Sequence, residues 1–489
     1  MSGRTRILLI VGLLALLGFW GAPAVEGMSV SAMRVAIVAL VMAALWMTQA
    51  IPLAATALIP LAIFPLIGVA DIAAVADAYG DPLIFLFLGG FLLAAAMARW
   101  GLHQRLALAA VAWAGPSPRA LILAVMGATA FLSLWISNTA TAMVMTPIAA
   151  ALVNENRHAP TLPDTAPALM LGVAFAATIG GIGSLIGTPA NALFAGYMRS
   201  AHGVEIGFAE WMLIGLPIVA ILIPVTWLVL TRVSFRIPGA AGGLATGRLA
   251  GADTQTPRAE NAPMSQEQKR VTAILVLTAV ALVARPWLAP LLATQGLADS
   301  GVKASGVTDA GIAISAALLL FCVPARDGSQ ERLLVWADAQ TIRWDVLILF
   351  GGGLALAEGI ETSGLARWLG DAVSAAAGAI PIAALVLAMM IVIVYLGELA
   401  SNTAMAAIFL PVSGGVAVGL EAAPIELALP VALAASLGFM LPVATPPNAI
   451  VYGAGLVTAG QMLRVGAVLD VISIIVVYAI VLALGPAIW

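Results

Sequence analysis

The sequence predicts an all-α polytopic membrane protein, and its composition carries that prediction. Of its 489 residues, 62% are hydrophobic and only 9% are charged, whereas soluble domains carry about 25% charged residues. The apolar residues form long runs of Ala, Leu, Val and Ile, which indicates membrane helices rather than the alternating pattern of a β-barrel. Soluble enzymes, nucleic-acid binders and disordered scaffolds are therefore disfavoured.

The ionisable residues argue against a charged partner or a metal centre. The formal net charge of −3 is too small to indicate nucleic acid. Cys322 is the one cysteine, so no intrachain disulfide can form, and with three histidines a zinc or iron–sulfur site is disfavoured. An intramembrane hydrolase is the rival hypothesis, but the sequence contains no HExxH motif and no GxSxG motif with partners. We expect neither enzymatic activity nor a cofactor.

Apolar segments of about 20 residues predict the membrane spans. There are eleven of them, near residues 6–20, 33–50, 52–70, 82–98, 167–200, 209–232, 271–292, 309–323, 345–360, 427–458 and 464–487. The first follows Arg4 and Arg6 and precedes Ala22-Pro23-Ala24, so it resembles either a signal peptide with its cleavage site or a retained helix. We expect it to be retained.

Four apolar stretches are interrupted by polar residues. Stretches 120–152 and 380–420 contain Ser-Asn-Thr at residues 137–139 and 401–403, and we expect both to be re-entrant hairpins. The spans 167–200 and 427–458 are broken at Gly187-Thr188-Pro189 and at Ala444-Thr445-Pro446-Pro447. Interrupted helices are tolerated in a membrane only where they face protein or a water-filled cavity, so these breaks predict a site near the bilayer midplane.

The breaks belong to a duplicated unit. Each half has a glycine-rich span, then Ser-Asn-Thr, then Thr-Pro-x-Asn at Thr188–Asn191 or Thr445–Asn448. The predicted organisation is a first inverted repeat at 1–232, a cytoplasmic linker at 233–270 and a second inverted repeat at 271–489.

A count of basic residues predicts the orientation. With a cytoplasmic N-terminus and each hairpin entering and leaving on one side, 16 of the 21 Lys and Arg residues lie inside and 5 lie outside or near the outer ends. That asymmetry agrees with the positive-inside rule. An odd number of spans separates equivalent points of the halves, which makes the repeats inverted.

The residue types at the breaks suit small ions. Carbonyl and hydroxyl oxygens at helix C-termini suit a hard cation such as sodium, whereas helix N-termini attract anions. No Lys or Arg lies near any of the four breaks in the sequence. A multiply charged anion would therefore need co-bound cations and helix N-termini to balance its charge, which favours cation-coupled anion transport over a channel.

At these residues the chain resembles the divalent anion–sodium symporter family. The resemblance rests on Trp135–Thr141 (WISNTAT), Ser401–Pro411 (SNTAMAAIFLP), Leu441–Val451 (LPVATPPNAIV) and Leu88–Leu108. It implies a homodimeric elevator transporter in the membrane, with scaffold helices at 1–115 and a moving transport domain. It also implies sodium-coupled uptake of dicarboxylates, citrate or sulfate, or exchange in some members.

The resemblance also implies site residues. The first sodium site would use Ser133, Ser137, Asn138 and Gly187, and the second Gly397, Ala400, Asn402 and Ala444. The substrate would contact Asn138, Thr139, Thr188, Ser401, Asn402, Thr403, Thr445 and Pro446. The family often has a hydroxyl residue in place of Gly397 and Glu in place of Gln49, a position that we interpret as part of the scaffold.

The leading hypothesis is sodium-coupled symport of C4-dicarboxylates in a bacterial inner membrane. The alternatives are a sodium-independent dicarboxylate exchanger, a proton-coupled anion transporter, and a citrate or sulfate symporter. Glu398, three residues before the second Ser-Asn-Thr, could be a structural anchor, a proton carrier or a partner for the N-terminus of the next half-helix.

Overall fold

The computed structural model describes residues 26–114, 117–155, 162–237, 263–294, 306–377 and 380–488, and position 12. Those residues form α-helices and connecting turns without any β-strand, apart from one isolated bridge between Pro324 and Arg332. Apart from position 12, the predicted helix at 6–20 lies outside the described residues, as does 238–262 of the predicted linker.

The described helices follow one another in two series. The first comprises α1 Val30–Thr48, α2 Leu53–Thr56, α3 Ile59–Leu66, α4 Ile72–Asp77, α5 Pro82–Arg99, α6 Leu102–Trp113, α7 Pro118–Ser133, α8 Asn138–Glu155, α9 Leu162–Ile182, α10 Pro189–His202 and α11 Phe208–Leu228, which continues as a π-helical turn, Val229–Ser234. The second comprises α12 Gln266–Thr294, α13 Asp309–Cys322, α14 Trp336–Ala339, α15 Trp344–Thr362, α16 Leu365–Ala377, α17 Ile382–Gly397, α18 Asn402–Gly419, α19 Pro424–Ala435, α20 Pro446–Gly453 and α21 Ala459–Ile488.

The prediction of a single span at 52–70 is wrong. The segment forms two short helices, α2 and α3, with a break at Ala57-Leu58. Pro60 follows the break and cannot donate a helical hydrogen bond. The Ala57 carbonyl oxygen accepts instead from the Tyr79 hydroxyl at 2.5 Å, so the broken backbone has a partner.

Among the described residues, seven helices are long and apolar enough to cross a membrane, or eight if the bent pair α15 and α16 counts as one span. Several of the eleven predicted spans fall short of that length: α13 has 14 residues, and each broken span is divided into two shorter helices. The predicted integral membrane protein is nevertheless confirmed.

Five consecutive segments recur in the same order. A glycine-containing helix (α5 or α15) is followed by a short helix (α6 or α16), a helical hairpin (α7–α8 or α17–α18), a broken helix (α9–α10 or α19–α20) and a long apolar helix (α11 or α21). Gly101 and Gly364 precede the two short helices with φ of 64° and 81°, a conformation that favours glycine.

The two series pack into each other around the breaks. The second arm of each hairpin contacts the helix that follows the break of the other series: α8 contacts α20, and α18 contacts α10. The two broken helices also touch, through α9 with α20 and α10 with α19. All four interruptions are thereby brought to one place.

Candidate functional site

A cavity of about 280 Å³ lies where the four interruptions meet. All eight predicted substrate residues line it: Asn138, Thr139, Thr188, Ser401, Asn402, Thr403, Thr445 and Pro446. Five of the predicted sodium-site residues line it as well: Ser137, Asn138, Gly187, Asn402 and Ala444. Ser133, Gly397 and Ala400 are buried outside the lining.

Four helices begin at this cavity. They are α8 at Asn138, α10 at Pro189, α18 at Asn402 and α20 at Pro446. The first N–H groups of a helix have no partner within it, and the helix dipole makes this end electropositive. The cavity therefore suits an anion without a basic side chain at its centre.

Two hydroxyl groups at these helix starts remain free of capping bonds. Thr188 and Ser401 occupy the N-cap positions of α10 and α18, yet neither side chain accepts a capping hydrogen bond. Ser137 and Thr445, by contrast, accept from the N–H groups of Ala140 and Asn448, both at 3.3 Å. The uncapped hydroxyls are thus the donors most available to a ligand.

Oxygen atoms gather at the first break. The inward-facing atom of the Asn138 amide lies 2.9 Å from Ser133 Oγ and 3.2 Å from the carbonyl oxygens of Ala177 and Gly187. If this atom is the amide nitrogen, its two N–H groups can donate to two of these oxygens; if it is the amide oxygen, it accepts from Ser133 Oγ and four oxygens, the type of ligand that a hard cation prefers, lie together. The sequence did not predict the Ala177 carbonyl, because its side chain gives no signal.

The second break has a comparable set of oxygens. The Asn402 side-chain oxygen is buried without a hydrogen-bond partner. Gly397 lies against the Leu437 carbonyl oxygen, and Ala400 and Ala444 are 3% and 2% exposed. The orphaned amide oxygen of Asn402 is a group that a bound cation would satisfy.

The asparagines of the two Thr-Pro-x-Asn runs hold the broken helices together. Asn191 donates to the carbonyl oxygens of Gly181 at 3.0 Å and Ser184 at 2.8 Å, which are ten and seven residues earlier in the chain. Asn448 donates at the same offsets to Gly438 at 3.3 Å and Leu441 at 3.0 Å. Both asparagine side chains are fully buried, so these two residues hold the loops, whereas Thr188, Thr445 and Pro446 of the same motifs line the cavity.

Three polar residues of the lining were not predicted as site residues. Gln49, whose position we interpreted as part of the scaffold, lines the cavity, and Arg343 and Asp345 line it too. Arg343 donates to both Asp345 oxygens at 2.8 Å. This bond raises the pKa of the guanidinium, so the pair is charged and internally compensated. The inference that no Arg lies near the breaks therefore holds along the sequence but not in space.

Glu398 anchors the loop of the second break. Its carboxylate accepts from the backbone N–H groups of Phe439 at 2.7 Å, Met440 at 2.9 Å and Leu441 at 2.8 Å. These residues precede Ala444 and Thr445, which line the cavity. Of the three hypotheses for Glu398, the structural anchor fits these contacts; its bonds go to this loop rather than to the helix that follows Ser401.

Comparison with known proteins places the chain in a family. The profile of the sodium:sulfate symporter transmembrane region matches residues 4–489. The chain belongs to this family. It is therefore a membrane transporter and not an enzyme, and the predicted resemblance to divalent anion–sodium symporters is confirmed.

Among curated relatives of this transporter are two named sodium-dependent dicarboxylate transporter SdcS. The one from Staphylococcus saprophyticus is 39% identical over 455 residues, covering 90% of this chain and 84% of its own length. The one from Staphylococcus aureus strain USA300 is 39% identical over 451 residues, with the same coverage.

Two solved structures share the fold of the transporter. The Alcanivorax borkumensis YdaH transporter aligns with a TM-score of 0.51 and 15% identity, over 82% of this chain and 85% of that one. Neisseria gonorrhoeae MtrF aligns with a TM-score of 0.53 and 10% identity, over 98% and 94%. At these identities the likeness concerns the fold alone.

Proposed function

We propose that this transporter is a sodium-coupled symporter of divalent organic anions, with C4-dicarboxylates as its substrates. The observation that carries the proposal is the meeting of four helix N-termini and two sets of buried oxygens at one cavity. The 39% identity to sodium-dependent dicarboxylate transporters supports both the coupling ion and the substrate class.

The charge balance explains why the coupling ion is needed. A dicarboxylate brings two negative charges into a cavity whose one lining Arg is already paired with Asp345. Two sodium ions, one at each break, would neutralise the substrate, and the helix N-termini would orient its carboxylates. The first would be held by Ser133, Ser137, Asn138 and Gly187, and the second by Gly397, Ala400, Asn402 and Ala444.

The two carboxylates of the substrate would divide between the repeats. Asn138, Thr139 and Thr188 would meet one, and Ser401, Asn402, Thr403, Thr445 and Pro446 the other. The similar donor sets favour a small symmetric dianion over citrate, whose third carboxylate has no matching set, and over sulfate.

We further propose that the broken helices and hairpins move together as a transport domain against a scaffold, in an elevator-type homodimer. The cavity lies between the predicted moving parts and the predicted scaffold residues Gln49 and Phe87, which is the position that such a mechanism requires. The chain would lie in the bacterial inner membrane with its N-terminus in the cytoplasm.

Uptake by proteoliposomes tests the function. Radiolabelled succinate should accumulate with external sodium and not with choline, while citrate and sulfate should compete weakly. Accumulation in choline driven by internal dicarboxylate would instead identify an exchanger, and accumulation driven by a proton gradient would identify a proton-coupled transporter.

Reporter fusions test the orientation. A reporter within 238–262 should lie in the cytoplasm, and one after Trp489 should lie outside, because 16 of 21 basic residues would then face inward. An external reporter at 238–262 would contradict the inverted-repeat topology.

A further inference from the structure

The two repeats differ in the side chains that pack between the long helix, α11 or α21, and the loop at the break. Gly215 of α11 lies so close to Ile182 and Gly183 that a Cβ would overlap their backbone, and Gly466 of α21 lies in the same way against Phe439 and Met440. This close approach aligns α11 with α21, and four residues further along each helix Val219 matches Asp470.

The same alignment pairs two more positions. The Ser-Asn-Thr motifs align Leu134 of the first repeat with Glu398 of the second, and the next turn of the long helices aligns Leu222 with Ser473. Leu134 and Val219 both pack against Gly183. The first repeat thus closes this region with apolar side chains, which means that the fold does not need two acids and a hydroxyl there.

The polar side chains of the second repeat are buried. Asp470 is 0% exposed, Ser473 1% and Glu398 3%. Burying an ionised carboxylate without a partner costs several kcal/mol. Glu398 accepts hydrogen bonds from three N–H groups. By contrast, the two carboxyl oxygens of Asp470 and the hydroxyl group of Ser473 make no hydrogen bond among the described residues.

The surroundings of Asp470 provide no positive charge. Its carboxyl group is close to the Glu398 carboxyl group and to the Phe439 backbone N–H, which already donates to Glu398; among the residues that the structure describes, Glu398 is the charged group that acts on it. Two neighbouring buried carboxyl groups need either a shared proton or a bound cation between them. A single proton on Asp470 would leave the Ser473 hydroxyl group without a hydrogen-bond partner. A hard cation can instead be coordinated by carboxylate and hydroxyl oxygens at the same time.

We propose that Asp470, Ser473 and Glu398 bind a sodium ion that is distinct from the two predicted at the breaks. The ion would bridge the free carboxylate of α21 to the carboxylate that anchors the loop at Phe439–Leu441. That loop leads to Ala444 and Thr445 at the cavity, so occupancy of this site would stabilise the substrate-binding form of the second break. The inference rests on the proposed function only in taking sodium as the coupling ion.

Equilibrium binding of ²²Na⁺ to the purified full-length protein tests this site. The measurement is made without substrate and at fixed pH. Asp470→Asn should either bind one sodium ion fewer per chain at saturation or bind one of its sodium ions with an affinity reduced at least about tenfold, which corresponds to about 1.4 kcal/mol. Asn138→Ala should also lose one ion, and the double variant should lose two, because the sites are separate.

Further variants separate the site from protein misfolding. If Asp470→Asn does not fold, Asp470→Val places the apolar residue of the first repeat at this position, keeps the Glu398 anchor, and should fold while lacking this ion. Ser473→Ala should lower the affinity for one ion several-fold with the fold intact.

A contrary result would be an unchanged sodium number and affinity in Asp470→Asn or, if that variant does not fold, in Asp470→Val. An unchanged sodium number with altered proton binding would assign a proton to the pair and would equally overturn the proposal. Failure of the proposed function is distinguishable, because wild-type protein would then show no sodium-dependent succinate uptake at all.

Discussion

The loops at the two breaks are held by equivalent asparagine side chains, but their other stabilising hydrogen bonds differ. Asn191 and Asn448 hold their loops through carbonyl groups ten and seven residues earlier. Around that shared brace, the first loop is held by neutral groups: Ser184 Oγ donates to the Leu134 carbonyl, and the Trp211 indole donates to the Ile182 carbonyl at 2.8 Å. The second loop is held by the Glu398 carboxylate. The repeats therefore offer similar surfaces to the cavity from electrically different supports.

This difference has a functional consequence. A neutral support leaves the first cation set to depend on Asn138 and nearby carbonyl groups. The Glu398 carboxylate places a negative charge near the second set of cation-binding oxygens, where it attracts cations. Asymmetry in ion binding would come from these supports and from the Ser133 hydroxyl, which has Gly397 as its counterpart in the second repeat.

The largest expected effect is loss of transport when either cavity asparagine is removed. Asn138→Ala and Asn402→Ala should each reduce sodium-dependent succinate uptake by a few hundredfold or more, because each amide would serve a cation and the anion and two such interactions amount to about 3–4 kcal/mol. The check is proteoliposome uptake at equal reconstituted protein. Sodium-dependent uptake that survives both single changes would remove these residues from the mechanism.

Loss of the anchors should separate the two repeats. Glu398→Gln should lower the free energy of unfolding by about 3 kcal/mol, since three N–H groups lose an ionised acceptor. Ser184→Ala should cost about 1 kcal/mol, because it removes one neutral bond. Thermal unfolding of the purified variants compares them, and a larger loss for Ser184→Ala would contradict the assigned anchors.

Loss of the braces should instead affect both repeats equally. Asn191→Ala and Asn448→Ala each leave two buried carbonyl groups without their donor, which should cost about 2 kcal/mol. Equal reductions in thermal stability are the expected outcome. A variant with native stability but abolished succinate binding would show that its asparagine contacts the substrate after all.

The smallest effect concerns the ion pair at the cavity. Arg343 and Asp345 have side chains 47% and 53% exposed, so their charges are screened by solvent and are worth under about 1 kcal/mol. At low ionic strength, Asp345→Asn should raise dianion affinity a few-fold because it frees the positive charge, and Arg343→Gln should lower it by a similar factor. The double variant is the control and should bind as wild type does; salt-independent changes would argue for a packing effect.

The sequence predicts the parts of the site that belong to repeated motifs. It does not predict residues that are distant in the chain and come together only in the folded structure. Two copies of Ser-Asn-Thr and Thr-Pro-x-Asn predicted where the site lies, and the family resemblance implied the eight substrate residues, all of which line the cavity. Arg343 and Gln49 lie about 300 residues apart in the chain, and no local pattern indicates that they share a cavity.

Backbone groups and helix partners were equally hidden from the sequence. The Ala177 carbonyl and the loop N–H groups at Phe439–Leu441 carry no side-chain signal. In the sequence, Asp470 is a single acidic residue in an apolar helix; its proximity to Glu398 follows only from the packing of α21. The segment 52–70 was predicted as one span because its apolar content hid the break before Pro60.

The dependence of dianion affinity on sodium tests the central claim most directly. With no uncompensated basic side chain at the cavity, sodium should raise the equilibrium affinity for succinate, and succinate should raise the affinity for sodium by the same factor, with a coupling of about 1–3 kcal/mol. Equilibrium binding to purified protein in sodium and in choline measures it. Equal succinate affinity in the two salts would show that sodium does not supply the missing positive charge and would contradict sodium-coupled binding.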